Sequence, residues 1–264
     1  MKFYFLKKNL SLIKYSFIYQ IILKDKQMSY LILVRHGQSV WNLENRFTGW
    51  VDVDLNQNGM AQAKKAGELI KGKKINIDLY YSSFQLRAKN TLKIIQEQLD
   101  DNKKVKFAWE LNERHYGSLT GLNKEEMKKK LGQEKVHQFR RSWDLRPDPL
   151  DKNNSYHPLN INAYKDVPVE KIPDTESLKD TYERVIKYYS EDIKNELKNK
   201  NILISAHGNS IRALCKYLFN LDDKQISKLE IPTGNPLLIK FDSNNKILNC
   251  EYLDSERAKD LLVY

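Results

Sequence analysis

Two short segments of this chain repeat one pattern. Leu33-Val34-Arg35-His36-Gly37-Gln38-Ser39 and Ile204-Ser205-Ala206-His207-Gly208-Asn209-Ser210 both run from an apolar stretch into histidine, glycine, a side-chain amide and serine. One His-Gly pair carries little weight, because a turn histidine bonded to backbone is common. Two in matched contexts, the first preceded by Arg35, point to a catalytic pair facing each other across a phosphate. A histidine that attacks phosphorus must be neutral on the attacking nitrogen, so its other nitrogen should donate to a backbone carbonyl. The transfer then depends on positioning and on cations that match the equatorial oxygens. Arg35 and Arg87 are the candidate cations. Arg87 follows a strand end in Ser82-Ser83-Phe84-Gln85-Leu86-Arg87-Ala88, where a solvated helix arginine is the plain alternative.

Such side chains need elements to hold them. Open α/β sheets bind ligands at the carboxyl ends of their strands, and the free amides of a following helix favour an anion. Leu31-Ile32-Leu33-Val34 and residues 201–206 are short apolar runs, expected as strands buried on both faces, and each delivers one of the histidines. A helix is expected directly after each histidine, over 210–218 in the second case. Further strands are expected at 78–82 and 105–109, with a hairpin across 237–241 and 247–253. Asn56 is a cap for a helix over 57–71, and Ala88, Leu92, Ile95 and Leu99 fall at helical spacing. Two charged helices are expected within 123–143, and a long loop with five prolines over 144–175. Ser177 then opens a long helix whose core face is Leu178, Tyr182, Val185, Tyr189, Ile193 and Leu197. The alternation implies an α/β fold: a three-layer domain with a mostly parallel central sheet covered by helices on both faces.

Composition narrows the function class. The chain has 264 residues, 41% of them hydrophobic, enough for one large domain with a sizeable core. Its formal charge is +11, of which residues 1–27 hold +5 through six lysines and Asp25. The remaining lysines are scattered rather than arranged as a stripe with exposed aromatics, so nucleic acid is not an expected partner. Cys215 and Cys250 have no spacing that suggests a disulfide framework or a zinc site, and a reducing cytoplasm is the default compartment. The apolar run 10–23 is interrupted by Lys14 and Gln20 and is shorter than the roughly 20 residues a spanning helix needs. No membrane association is expected, and a domain starting afresh at Met28-Ser29-Tyr30 is the simpler organisation.

The next polar block, Leu111-Asn112-Glu113-Arg114-His115-Tyr116-Gly117-Ser118-Leu119-Thr120-Gly121-Leu122-Asn123-Lys124, follows the third expected strand. Alone it could be a turn with a salt bridge. Together with Arg35-His36-Gly37 and His207-Gly208-Asn209 it resembles the histidine phosphatase superfamily, and within it the 2,3-bisphosphoglycerate-dependent phosphoglycerate mutases. The resemblance runs in order over residues 30–253, and the 113–124 block is its most discriminating part.

The resemblance implies His36 as the phosphorylated nucleophile and Glu113 as the general acid/base for the substrate hydroxyls. It implies a phosphoryl clamp of Arg35, Arg87 and His207, completed by Asn42, Gly208 and Asn209. Gly37, Gln38, Ser39, Thr48 and Gly49 fall in the segments that would surround the substrate. Arg114, His115, Tyr116, Lys124, Arg140 and Arg141 fall where carboxylate and phosphate contacts are expected. Adjacent helical residues point roughly 100° apart, so Arg140 and Arg141 can address one ligand only near a helix end or on a lid. Taken by themselves they would be a solvated face.

Three departures accompany the resemblance. Ser142-Trp143-Asp144-Leu145-Arg146-Pro147 replaces the usual tyrosine and proline run, the tail 254–264 is short, and residues 1–27 have no counterpart. The expected organisation is an extension over 1–27, for which a misassigned start is the alternative, a mutase domain over 28–253 and that tail. The expected activity is interconversion of 3-phosphoglycerate and 2-phosphoglycerate in glycolysis and gluconeogenesis, through a phosphohistidine primed by 2,3-bisphosphoglycerate and without a metal. The alternatives are a phosphatase of the same superfamily acting on small phosphate monoesters, and a bisphosphoglycerate mutase. Small phosphoglycerates are the expected partners of a homo-oligomer.

Overall fold

The computed structural model describes residues 28–258. The N-terminal extension and the last six residues of the tail lie outside the described residues.

β1 (Ser29–Arg35) and β4 (Ile202–Ala206) are apolar along almost their whole length because both of their faces are covered. Alternate residues divide between two cores. Leu31, Leu33, Ile202 and Ile204 face one side, and Ile32, Val34 and Leu203 the other. The first side is packed by α6 (Leu178–Tyr188) and α7 (Gly208–Leu218), through Leu178, Val185, Ile211 and Leu214. The second is packed by α2 (Gln57–Gly72) and α3 (Leu86–Leu99), through Ala66, Ile70, Leu92 and Ile95. This is the expected three-layer arrangement.

Among the described residues the sheet has six strands, in the order β3-β2-β4-β1-β5-β6. β3 (Val105–Phe107), β2 (Leu79–Ser82), β4 and β1 are parallel, while β5 (Leu237–Phe241) and β6 (Ile247–Tyr252) form an antiparallel hairpin on the β1 edge. Register decides the placement of the histidines. Arg35 lies opposite Ala206, and the His36 N–H donates to the Ala206 carbonyl at 3.0 Å. His36 and His207 therefore leave neighbouring strands at the same end of the sheet.

Several element expectations need correction. The third strand stops at Phe107, and Trp109–Leu111 is a 3₁₀ turn. The long helix opened by Ser177 is α-helical only to Tyr188 and continues as a π turn over Tyr189–Ile193. The helix after His207 begins at Gly208, two residues early. The helix after His36, α1 (Val40–Leu43), starts only at Val40 and has four residues, so its dipole is a negligible anion site. α8 (Asp223–Lys228) was not foreseen.

The two charged helices exist as α4 (Lys124–Leu131) and α5 (Gln133–Arg141). The 144–175 loop carries three 3₁₀ turns and is pinned by a buried Tyr164, whose ring lies 4.9 Å from that of Trp50 and whose hydroxyl donates to the Trp50 carbonyl. The departing stretch after Arg141 is tied to α6: Trp143 packs edge-on against Tyr182 at 5.3 Å, and Arg146 pairs with Asp180. Both cysteines are unpaired, Cys215 within the core. No helix among the described residues is long and apolar enough to cross a membrane.

Candidate active site

The His36 and His207 rings lie 5.0 Å apart, tilted by 59°. His36 Nδ1 stands 2.7 Å from the Gly37 carbonyl oxygen. A carbonyl only accepts, so this nitrogen carries the hydrogen and Nε2 is left with its lone pair. Burial, followed by the charges of Arg87 and Arg35, holds the His36 pKa well below its ordinary value of 6.5. His207 is also held well below 6.5, by burial first and then by Arg87 and His36. Its Nε2 shares a 2.7 Å hydrogen bond with Ser83 Oγ, while its buried Nδ1 has no partner.

The loop carrying His36 is wedged against the start of α2. A Cβ on Gly37 would stand 2.2 Å from the Gly59 carbonyl oxygen, and one on Gly59 would stand 2.1 Å from that of Gln38. Two glycines are needed for that approach. The Gly37 N–H donates to Thr91 Oγ1 at 3.1 Å, and Ser39 caps α1 together with Asn42.

A cavity of about 130 Å³ opens in front of His36, room for a compact ion rather than a polymer. Its wall holds Arg35, Arg46, Arg87, Lys124, Arg140, Arg141 and Arg212 against only two carboxylates, Glu113 and Glu230. An anionic ligand is the chemistry such a wall serves. Arg87 is buried, which excludes the solvated helix arginine; it donates to the carbonyls of Gly49 and Val51 at 2.8 and 2.9 Å. Arg35 donates to the Ile231 carbonyl at 2.7 Å, and its Nε has no partner. Thr48 Oγ1 and Arg212 Nε are likewise buried without partners. Unpaired buried polar groups are costly, and a phosphoryl or carboxylate group would satisfy those that donate.

Glu113 is fixed in that wall. Its Oε1 accepts from the Asn209 side-chain amide at 2.9 Å, the Asn209 N–H at 3.2 Å and the Arg114 N–H at 2.8 Å. Asn209 sits in the first turn of α7 and also donates to the Tyr116 hydroxyl at 3.1 Å. Burial pushes the Tyr116 phenol up, but Arg114 and Arg140 among its neighbours bring it down on balance. Lys124 donates to the Arg46 carbonyl at 2.8 Å, and its pKa is lowered to about 8, chiefly by burial.

Of the residues expected from sequence, Arg35, His36, Asn42, Thr48, Gly49, Arg87, Glu113, Tyr116, Lys124, Arg140, Arg141, Gly208 and Asn209 line the cavity. Arg140 and Arg141 are the last two residues of α5, the position at which neighbours can share a ligand. Gly37, Gln38, Ser39, Arg114 and His115 do not line the cavity, and neither does His207, whose ring lies beside that of His36. Gln38 accepts from Asn56 and Asn58, and His115 Nδ1 accepts from the Gly117 N–H. Arg114 is fully buried over the Tyr116 ring and donates to the Phe139 carbonyl at 2.7 Å.

Other residues escaped the sequence reading. Arg212 lies three residues after Asn209 on the same helix face, donates to Asn209 Oδ1 at 3.0 Å, and is lowered by burial to about 9. That spacing was a usable signal. Gln85 and Arg184 had none. Gln85 bridges the Gly49 carbonyl and the Glu113 N–H, each at 2.9 Å, and Arg184 holds the carbonyls of Glu110, Asn112 and Glu113 while paired with Glu176. Among the described residues no cluster of three or more His, Cys, Asp or Glu side chains is arranged to hold a metal ion.

Comparison with known proteins gives the family of the chain. The model of the histidine phosphatase superfamily (branch 1) matches residues 31–160 and 150–251. A protein of Pelagibacter ubique (strain HTCC1062) named 2,3-bisphosphoglycerate-dependent phosphoglycerate mutase is 68% identical over 238 residues, spanning 90% of this chain and 100% of the relative. The chain belongs to the 2,3-bisphosphoglycerate-dependent phosphoglycerate mutase family. Another protein so named, from Borreliella burgdorferi (strain ZS7), is 46% identical over 86% of this chain and 92% of its own length. Solved structures more distant than these mutases share the fold. The mycobacterial glucosyl-3-phosphoglycerate phosphatase superposes with a TM-score of 0.59 at 22% identity, covering 80% of this chain and 92% of that one. The α-ribazole phosphatase of Shigella flexneri gives 0.61 at 18% identity, covering 83% and 94%.

Proposed function

We propose that this enzyme interconverts 3-phosphoglycerate and 2-phosphoglycerate through a phosphohistidine at His36, primed by 2,3-bisphosphoglycerate. The observation that carries this reading is the fixed tautomer of His36. Its Nδ1–H is committed to the Gly37 carbonyl, its pKa is depressed, and its residue lines a cavity rich in cations. Its Nε2 is a nucleophile that needs no deprotonation at neutral pH.

In the proposed route the phosphorylated His36 meets a monophosphoglycerate. The Nε2–P bond breaks as the free substrate hydroxyl oxygen bonds to phosphorus, and the hydroxyl proton passes to Glu113. The bisphosphate so formed turns over, and its other phosphoryl group returns to Nε2 while Glu113 gives the proton to the departing oxygen. Arg35, Arg87 and His207, with Asn42, Gly208 and Asn209, clamp the phosphoryl group, and the dipole of the 11-residue α7 adds to that clamp. Arg140, Arg141 and Lys124 take the carboxylate and distal phosphate, with Thr48, Gly49 and Tyr116 beside them. Gly37, Gln38, Ser39, Arg114 and His115 act from behind, by holding the loops that carry these groups. The route uses no metal.

A phosphatase needs only the phosphoryl clamp; the second cluster of cations at the α5 end of the cavity favours the mutase. The test is formation of 2-phosphoglycerate from 3-phosphoglycerate with and without 2,3-bisphosphoglycerate. Conversion stimulated by the bisphosphate is expected. Free phosphate as the main product would overturn the assignment. We also propose a cytoplasmic homo-oligomer built on a 28–253 domain; size-exclusion chromatography of the purified chain checks the assembly.

A further inference from the structure

Glu230 is an unexpected carboxylate in the cavity wall. It is one of only two carboxylates there, and Glu113, the other, is held by amide donors rather than by a cation. Glu230 instead forms an ion pair with Arg141. The pair sits at the rim: the Arg141 side chain is 17% exposed and that of Glu230 49% exposed. The backbone beneath is firm. Leu229 and Ile231 are buried on either side, and the Ile231 carbonyl is the acceptor for Arg35. Arg140, next to Arg141, has no ion pair among the described residues.

We propose that Glu230 is a positioning residue that acts through Arg141 as a built-in competitor for the substrate's anionic end. In the empty enzyme its carboxylate occupies the guanidinium that the ligand needs. A phosphoglycerate must displace it, and Glu230 swings back as the ligand leaves. A ligand whose partner guanidinium is free only part of the time binds more weakly by that fraction. An ion pair half open to water is readily exchanged, so this competition lowers affinity without blocking the site. The consequence is faster exchange of a multiply charged ligand from a wall dense in cations.

This inference rests on the reading of Arg141 as a substrate contact, and the experiment separates the two. Glu230→Gln, Arg141→Gln and the double variant are compared by calorimetric titration with 3-phosphoglycerate and by steady-state kinetics. Glu230→Gln keeps the shape and removes the charge. It is expected to lower both Kd and KM by about two- to fivefold, of the order that an exposed ion pair supplies. Glu230→Asp should stay near the parent. In the Arg141→Gln background the same change should tighten binding less than twofold, because no guanidinium remains to be released. Weaker or unchanged binding in Glu230→Gln, beside a weakened Arg141→Gln, would overturn the competitor role. Unchanged binding in Arg141→Gln would instead overturn the reading of Arg141.

Discussion

Asn209 and Glu113, 96 residues apart in the chain, meet in the cavity wall with the Asn209 amide and backbone N–H both directed at one carboxylate oxygen of Glu113. The start of α7 thereby fixes the proposed proton carrier relative to His207, which caps the same helix. Glu113→Gln should lower kcat by about 10²–10⁴-fold, the usual contribution of a general acid/base, while KM moves much less. Asn209→Ala removes one charge-assisted donor and should cost about ten- to a hundredfold in kcat/KM. Steady-state kinetics on 3-phosphoglycerate checks both. A raised KM with unchanged kcat in Glu113→Gln would make it a binding residue.

His36→Ala should abolish phosphoenzyme formation while the fold survives. The histidine sits at the end of the sheet and its side chain hydrogen-bonds only its own neighbour's carbonyl, so the loss in stability should be about 1–3 kcal/mol. Transfer of label from radioactive 2,3-bisphosphoglycerate, beside a thermal melt, reads both quantities. Labelled protein in the variant would move the nucleophile elsewhere.

Much of this site was legible because its parts follow strand ends. Apolar runs buried on both faces are easy to see, and β1 and β4 deliver their histidines by adjacency alone. The supporting groups were harder. Gln85 and Arg184 act on backbone groups far away in sequence, and no local pattern marks a side chain whose partner is a distant carbonyl. Glu230 was invisible for the same reason, since its meaning depends on α8 packing beside α5. The short helices α1 and α8 lack the length over which apolar periodicity can be read. The early end of β3 and the π turn after Tyr188 are boundary effects, set by tertiary packing rather than propensity.

The depressed pKa of His36 has a defined sign. In the folded protein it stays neutral as pH falls past 6.5, where the unfolded chain takes up a proton. Activity should persist below pH 6.5, whereas stability, full above that pH, declines as acid is added toward the lowered folded pKa. On the alkaline side Lys124 loses its charge through about pH 8, so KM for phosphoglycerate should climb there. Lys124→Arg should flatten that climb. A pH profile of KM, with melts across the acid range, tests both limbs.

Arg140→Ala and Arg141→Ala should each lower phosphoglycerate turnover by about ten- to a hundredfold, the cost of losing a charge-assisted bond to the substrate. Lysine would not restore the paired geometry. Hydrolysis of small phosphate monoesters lacking a carboxylate should fall far less. Equal losses on both substrate types would assign these arginines to the phosphoryl clamp or the fold.

Gly59→Ala is a change that helix propensity alone would favour, by about 1 kcal/mol. Here the new Cβ would fall 2.1 Å from the Gln38 carbonyl oxygen and push the His36 loop off its seat. Displacement on the ångström scale should cost about a hundredfold in kcat/KM. Circular dichroism should show the helices retained, and near-parent activity would mean that the loop has slack.

The hydrogen bond from His36 Nδ1 to the Gly37 carbonyl has a further consequence for timing. Its hydrogen is the same one whether Nε2 is bare or bonded to phosphorus, so the ring enters and leaves the proposed covalent state without exchanging a proton. Phosphorylation turns it into a cation, and departure of the phosphoryl group returns it directly to neutral imidazole, a good leaving group. Two independent ledgers result: electrons and phosphorus pass through His36, protons through Glu113. Solvent isotope effects on the overall reaction should accordingly report the carboxylate and the substrate hydroxyl, and be silent about the imidazole.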